Sequence, residues 1–342
     1  MPSKSTLTAI IACFVLAAAS THPGDPVRIP VPPGWPAPVY NQTHNQPTKA
    51  GVALGRRLFY EPLLSRDSTV SCSSCHLSFT AFTHVDHALS HGINDRIGRR
   101  NSPALMNLAW SQSFMWDGAV NHLDMQALAP VSNADEMDFN IQGVVERLEK
   151  SAGYREMFES AFGSEEITGE RVLKALAQFE LTLVSANARY DRVMAGKDTF
   201  TIQEKNGYEL FRKHCNSCHT EPLFTSYQFE NNGLKPDTTL NDRGRAGISG
   251  NPADEMKFKV PTLRNTEFSY PYMHDGRFSR LKDVLNHYTT GIEDSPTLSP
   301  LLKNKIPLDS REKTDLIAFL LTLTDRDFLF NPDFRPQQVP KQ

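Results

Sequence analysis

Apolar residues recur at helical spacing near both ends of each half of this chain, and the segments match one another across the halves. Gly55-Arg56-Arg57-Leu58-Phe59 is answered by Gly207-Tyr208-Glu209-Leu210-Phe211, and Phe179-Glu180-Leu181-Thr182-Leu183 by Phe319-Leu320-Leu321-Thr322-Leu323. A duplicated domain follows, each copy opening and closing with a helix around an irregular middle. Thr201 followed three residues on by Glu204 is a capping-box pattern, so a helix is expected to start there and a boundary to fall near residue 197. A further helix over about 280–288 would put Leu281, Leu285 and Tyr288 on one inward face. Strand signals are sparse and the middle segments carry Gly, Pro and Asn at loop density, which predicts a mainly α fold with long functional loops.

The first 47 residues depart from this pattern. Lys4, the apolar run Leu7 to Leu16 and the small residues Ala17-Ala18-Ala19 read as an export signal over residues 1–20. Ile10-Ile11-Ala12-Cys13 resembles a lipoprotein processing site, but the apolar run continues beyond Cys13, which argues against an anchor there. Residues 21–47 are rich in proline without helical period and read as an extended arm. No later stretch approaches the ~20 apolar residues of a spanning helix, so no transmembrane span is expected in the mature chain. The 342 residues are enough for two cores, 48–197 and 198–342, and the formal charge of −3 gives no sequence-wide attraction to nucleic acid or an acidic membrane.

Once Cys13 leaves with the signal, the cysteines form two pairs of identical spacing. Cys72-Ser73-Ser74-Cys75-His76 and Cys215-Asn216-Ser217-Cys218-His219 have the form that attaches c-type haem. In it two sulfurs add to the porphyrin vinyl groups, and the adjacent histidine is placed beneath the iron. The rival readings are a redox dithiol, a four-cysteine zinc site and structural disulfides. A redox dithiol has no need of a histidine directly after it twice, and one zinc site would leave both histidines unexplained. Two covalently bound haems are therefore expected, in two tandem cytochrome c-like domains.

Between the haem motifs and after them stand Leu89-Ser90-His91-Gly92, Arg100-Asn101-Ser102-Pro103, Trp116-Asp117-Gly118, Gln126-Ala127-Leu128-Ala129-Pro130 and Asp135-Glu136-Met137. Val260-Pro261-Thr262-Leu263-Arg264-Asn265 and Tyr270-Pro271-Tyr272-Met273-His274-Asp275-Gly276 follow. With these stretches in this order the chain resembles the bacterial di-haem cytochrome c peroxidase and MauG superfamily over essentially its whole mature length.

The resemblance implies a periplasmic enzyme whose N-terminal haem is peroxidatic, with Glu136, Gln126 and Pro130 lining the distal pocket. Peroxide cleavage needs a group that moves a proton between the two oxygens, and a pocket carboxylate with a raised pKa suits that task. Gln126 would orient peroxide or water. Without the resemblance Glu136 reads as one of many solvated acidic residues. His91 matches a position that can ligate the resting first iron, although the loop from His91 to Asn101 is longer here and His84 and His87 compete. Trp116 resembles the tryptophan between the haems, its plain alternative being a buried anchor.

Tyr288 matches the second-haem ligand, where ordinary peroxidases carry methionine and the MauG branch tyrosine; a phenolate lowers the iron potential and a thioether raises it. Met273 is its rival. A calcium ion between the domains would be held by the Asn101 side chain and the carbonyls of Ser269 and Pro271, hard oxygens suited to it. Arg99, Arg100, Arg243, Arg245 and Arg264 are candidates for pairing with haem propionates.

The leading expectation is reduction of hydrogen peroxide with electrons from a small cytochrome c or a cupredoxin. The alternative is a MauG-like oxidation of a partner protein's side chains, for which Tyr288 argues. Lys213, standing where MauG has a surface tryptophan two residues before its second motif, argues against it. A module of another class, carrying electrons without peroxide chemistry, would have both irons six-coordinate.

Overall fold

A computed structural model describes residues 24–337, so the expected export signal and Cys13 lie outside the described residues. The helices in chain order are α1 (Lys49–Phe59), α2 (Cys72–Cys75), α3 (Leu128–Ser132), α4 (Ile141–Lys150), α5 (Tyr154–Phe162), α6 (Gly169–Glu180), α7 (Arg189–Met194), α8 (Ile202–His214), α9 (Ala246–Ser249), α10 (Leu281–Asn286), α11 (Ser310–Leu321) and α12 (Arg326–Leu329). One short antiparallel pair, β1 (Phe229–Glu230) and β2 (Phe258–Lys259), sets Phe229 opposite Lys259. The fold is mainly α, and long irregular segments join the helices.

Local chemistry fixes the helix starts. Thr48 caps α1 by accepting from Gly51 N, and Thr168 caps α6 by accepting from Arg171 N. At α8 both halves of the expected capping box form: Glu204 N donates to Thr201 Oγ1 and Thr201 N to Glu204 Oε2. Asp309 and Glu312 repeat the device at α11.

The internal repeat is visible in the packing. α1 crosses α6 at Gly55, where a Cβ would lie 1.9 Å from Ala175 O, and α8 crosses α11 at Gly207, where it would lie 2.0 Å from Asp315 O. Only glycine lets the two backbones meet. Beside each crossing three buried phenylalanines close on one another, Phe59, Phe82 and Phe179 in the first half and Phe211, Phe224 and Phe319 in the second. Their ring centroids stand 5.1–6.3 Å apart. Such rings supply much of each core's buried apolar surface.

Two segments tie the halves together. The described part of the proline-rich stretch has neither helix nor strand, but Ile29, Trp35 and Tyr40 pack with Trp110, Leu123 and Leu223. Val39 N and Tyr40 N both donate to Ala109 O. At the other end the chain turns back after α11, and Phe328 and Phe334 join the first core against Phe82. Tyr190 of α7 packs in the second core, edge-on to Phe224.

Candidate active site

α2 is a single turn that ends at Cys75, leaving His76 as its C-cap with its N–H on Cys72 O. The ring is then fixed from behind: His76 Nδ1 lies 2.6 Å from Phe82 O. At the second motif α8 ends on Cys215, His219 N bonds Cys215 O, and His219 Nδ1 lies 3.0 Å from Pro261 O and 3.3 Å from Phe224 O. A carbonyl acceptor puts the proton on Nδ1 and frees Nε2, the state an axial ligand needs. Burial pushes both imidazoles down to about 4, so they are neutral.

The four cysteines are unpaired. Burial pushes the thiols of Cys72 and Cys215 up to about 12, with Glu180 and Cys75 adding to it at Cys72 and Cys218 at Cys215. A redox dithiol needs the opposite shift. Among the described residues no three His, Cys, Asp or Glu side chains converge as a metal group would, so the zinc alternative has no site. The residues fit covalently held haem: thiols for thioether bonds and, beside each pair, a neutral imidazole with one nitrogen open.

Next to the first motif the distal candidates form one wall. Cys75 Sγ lies 3.5 Å from His91 O, Ile93 N donates to Glu136 O (2.8 Å), Met137 N to Pro130 O (3.2 Å) and Ala129 N to Gln126 O (3.2 Å). Gly92 is pressed so closely on this wall that a Cβ would lie 2.2 Å from Asp135 O. Burial holds the Glu136 carboxyl above the usual carboxylate range, Asp135 adding to the effect and a bond from Asn133 Nδ2 to Oε1 opposing it. The His91 ring stacks on His87 at 3.9 Å and His87 on His84 at 4.1 Å, all nearly parallel.

Trp116 sits on the seam between the halves. Its Nε1 donates to Asn101 O (2.8 Å), and its own carbonyl accepts from Lys259 N of β2 (2.7 Å). Asn101 N donates to His274 O and its Nδ2 to Ala88 O, which brings Asn101 beside the 269–276 loop that carries Ser269 and Pro271.

At the second motif the helix expected to run through Tyr288 does not stay α-helical. α10 ends at Asn286 and His287–Gly291 widen into a π turn, a form that often re-aims a functional side chain. Leu281 and Leu285 therefore pack in the second core while Tyr288 turns toward Ile292, Leu298, Leu302 and Ile306. Burial pushes the Tyr288 phenol up to about 12; Asn232 opposes this, and nearby Cys215 and Cys218 add to it. The phenol is thus close enough to the second cysteine pair to feel its charge. Asn232 also donates to Met273 Sδ (3.5 Å), so both expected ligands meet at one asparagine that the sequence did not single out.

Four of the five arginines offered to propionates have acidic protein partners. Arg264 is fully buried and grips Asp191 with both terminal nitrogens (2.7 and 2.9 Å). Arg100 binds Asp242 and Asp117, Arg243 binds Glu255, and Arg245 lies 3.8 Å from Asp254.

Two cysteine and histidine turns, each set against its own phenylalanine cluster in a helical scaffold, define a di-haem c-type protein. The family model for di-haem cytochrome c peroxidase matches residues 49–199. The chain is 39% identical to methylamine utilization protein MauG of Methylorubrum extorquens, over 84% of this chain and 82% of that one. It is 34% identical to cytochrome c551 peroxidase of Nitrosomonas europaea, over 86% and 85%. A solved structure of a MauG-like protein associated with microbial copper homeostasis superposes with a TM-score of 0.80 at 32% identity, covering 90% of this chain and 98% of that one.

The chain belongs to the di-haem cytochrome c peroxidase and MauG family. It is an oxidoreductase that carries two c-type haems, uses peroxide, and works with a redox partner or protein substrate. No helix among the described residues is long and apolar enough to cross a membrane.

Proposed function

We propose that hydrogen peroxide is reduced at the first haem site of a periplasmic enzyme, with oxidising equivalents shared between the sites through Trp116 and electrons supplied by a small cytochrome c or a cupredoxin. Each haem, when bound, supplies the redox-active iron on which the reaction depends. Cys72 and Cys75 would hold the first and Cys215 and Cys218 the second, in the halves 48–197 and 198–342, with Nε2 of His76 and of His219 free to bind the irons. The observation that carries the reading is the wall of Gln126, Pro130, Glu136 and the His91 loop beside Cys75.

Asn133 Nδ2 donates to Oε1 of Glu136, which leaves Oε2 as the oxygen free to carry a proton. From there Glu136 gives it to the departing oxygen of peroxide and takes one from the oxygen that stays. Gln126 offers its amide to orient peroxide, Pro130 closes the wall with an apolar ring, and the His91 imidazole would be available to ligate the first iron at rest. Calcium would take its oxygens from Asn101 Oδ1 and the carbonyls of Ser269 and Pro271, steadying the seam that holds Trp116.

A second reading, oxidation of a partner protein's aromatic side chain, is favoured by a buried tyrosine, Tyr288, near the second cysteine pair, at the position where the MauG branch carries tyrosine. An anionic oxygen ligand there stabilises oxidised iron, which suits a site that stores oxidising equivalents.

Glu136→Gln tests the main reading. Peroxide turnover should fall about 100-fold or more while the pyridine haemochrome still counts two haems per chain; unchanged turnover overturns the assignment. For the second haem, Tyr288→Phe should alter its absorption spectrum and Met273→Leu should not, and the reverse pattern would make Met273 the ligand.

A further inference from the structure

Two tyrosines of the second half meet on one carboxylate. Glu221 stands two residues after His219 of the second haem motif. Its Oε2 accepts from Tyr190 Oη of α7 (2.6 Å) and from Tyr208 Oη of α8 (3.0 Å). Its Oε1 is buried and has no partner among the described residues. The tyrosine–glutamate bond of the first half, Tyr154 Oη to Glu61 Oε2 (2.5 Å), is built differently. There Arg57 stands 3.2 Å from the same oxygen and Leu63 N donates to Oε1 (3.3 Å), so both oxygens are occupied, as suits a carboxylate that only ties elements together. Leaving an acceptor oxygen buried and unmatched is costly, and Glu221 does so beside two phenols.

The tyrosines span the distance from the haem motif to solvent. Tyr190 is 3% exposed, its ring stands edge-on to Phe224 at 4.8 Å, and Phe224 O lies 3.3 Å from His219 Nδ1. A covalent path of two residues joins His219 to Glu221 as well. In the other direction the Tyr208 ring lies 6.3 Å from that of Tyr190. Tyr208 is half-buried, and its helix neighbours Lys205, Glu209 and Arg212 are exposed, so the ring borders solvent. Burial first, with the charge of Glu221 adding to it, pushes the Tyr208 phenol up to about 12, and burial raises Tyr190 too, so both carry their protons at neutral pH. A phenol loses an electron readily only when its proton leaves with it, and a carboxylate already hydrogen-bonded to the hydroxyl can take that proton.

We propose that Tyr190, Tyr208 and Glu221 form a redox relay that carries oxidising equivalents from the second haem site to the surface, where Tyr208 oxidises an aromatic side chain of the partner protein. Each pass moves one electron. Tyr190 gives an electron inward and its phenolic proton to Glu221; Tyr208 then refills Tyr190 with an electron while Glu221 returns one proton and takes the other. The neutral tyrosyl left at Tyr208 draws an electron from the partner's phenol or indole, Glu221 restores its proton, and the partner's own proton goes to solvent. Reduction of one hydrogen peroxide to two waters takes up two electrons and two protons, matching two passes and the two protons released. This inference deepens the reading in which a partner's aromatic side chain is oxidised, and rests on it.

The test uses the full holoprotein mixed with stoichiometric hydrogen peroxide and no electron donor, then frozen for electron paramagnetic resonance. A tyrosyl signal is expected, narrowed when the tyrosines are ring-deuterated, and a nitroso spin trap should tag Tyr208 in the peptide map. Tyr208→Phe should lose the tag and keep a signal from Tyr190. The double variant Tyr190→Phe/Tyr208→Phe, and separately Glu221→Gln, should cut the signal about tenfold or more while the pyridine haemochrome still counts two haems per chain. N-acetyltyrosinamide, standing for the partner's side chain, should be coupled to its dimer by the wild type and about tenfold more slowly by the double variant. A tyrosyl signal of wild-type size in the double variant, equal coupling by the two proteins, or no tyrosyl signal in a wild type whose haem absorption responds to peroxide overturns the relay alone. If the wild type couples no N-acetyltyrosinamide at all, the partner-oxidation reading falls and the relay with it.

Discussion

Replacing Gly207 with alanine puts a methyl group where α11 already has backbone. The added Cβ would lie 2.0 Å from Asp315 O and 2.6 Å from Asp315 C, whereas Cβ atoms essentially never approach other atoms within 3.0 Å. The obstacle is a peptide group of a paired helix, so it cannot swing aside, and α8 and α11 must part by about 1 Å. Overpacking of this kind costs about 1–3 kcal/mol, and an immovable obstacle places it at the upper end. Alanine returns about 1 kcal/mol of helix propensity relative to glycine, leaving a net loss of about 2 kcal/mol. Gly247 in α9 is the control, since nothing lies within 4 Å of its added Cβ; there alanine should gain about 0.5–1 kcal/mol. Urea unfolding followed by circular dichroism reads both, as opposite shifts of the midpoint at equal slope. If Gly207→Ala matches the wild type, or the two variants shift alike, the helix crossing is not the tight contact described.

Arg264→Met leaves Asp191 facing an apolar neighbour and should cost about 3–5 kcal/mol in urea unfolding, most of it recovered when Asp191→Leu is added; a single variant as stable as wild type would contradict the buried pair. Glu180→Leu should stabilise the protein in a pH-dependent way. The folded carboxyl is raised to about 8 from an ordinary 4.5, so the folded state keeps a proton that the unfolded state releases. Wild-type stability therefore falls as pH climbs from about 4.5 to about 8, and the leucine variant's advantage grows to the order of 3 kcal/mol at pH 7. An advantage that stays constant between pH 5 and pH 8 would mean the carboxyl ionises normally, and denaturation midpoints across that range decide it.

Much of the scaffold and of the haem chemistry is readable in the residues because it is encoded locally. The capping pair Thr201 and Glu204 and the Cys-x-x-Cys-His turns lie within a few residues of the contacts they make, and the Gly and Phe positions, whose partners are distant, show because both halves carry them. What could not be read depends on partners far away in the chain. The π turn that re-aims Tyr288 is settled beside Asn232 and Ile306, and the pairing of Arg264 by Asp191. Helical period locates a buried face but not what fills it, so it does not set Glu180 in the first half apart from Leu320 at the matching place in the second. A proline-rich stretch has no period at all, and nothing in it foretold that Ile29, Trp35 and Tyr40 would pack against both halves.

The return of α12 sets an order on how this molecule can be made. Phe328 and Phe334 complete a core whose other members begin at Leu54, and Tyr60 Oη ties down Phe334 O at 2.5 Å. A growing chain therefore carries an open greasy flank on its first half until its final stretch has emerged, however early Cys72 and Cys75 become available. That interval is a natural window for porphyrin attachment. It is also when the chain is most exposed to clumping with its neighbours, and a product cut short before Phe328 would never leave that state.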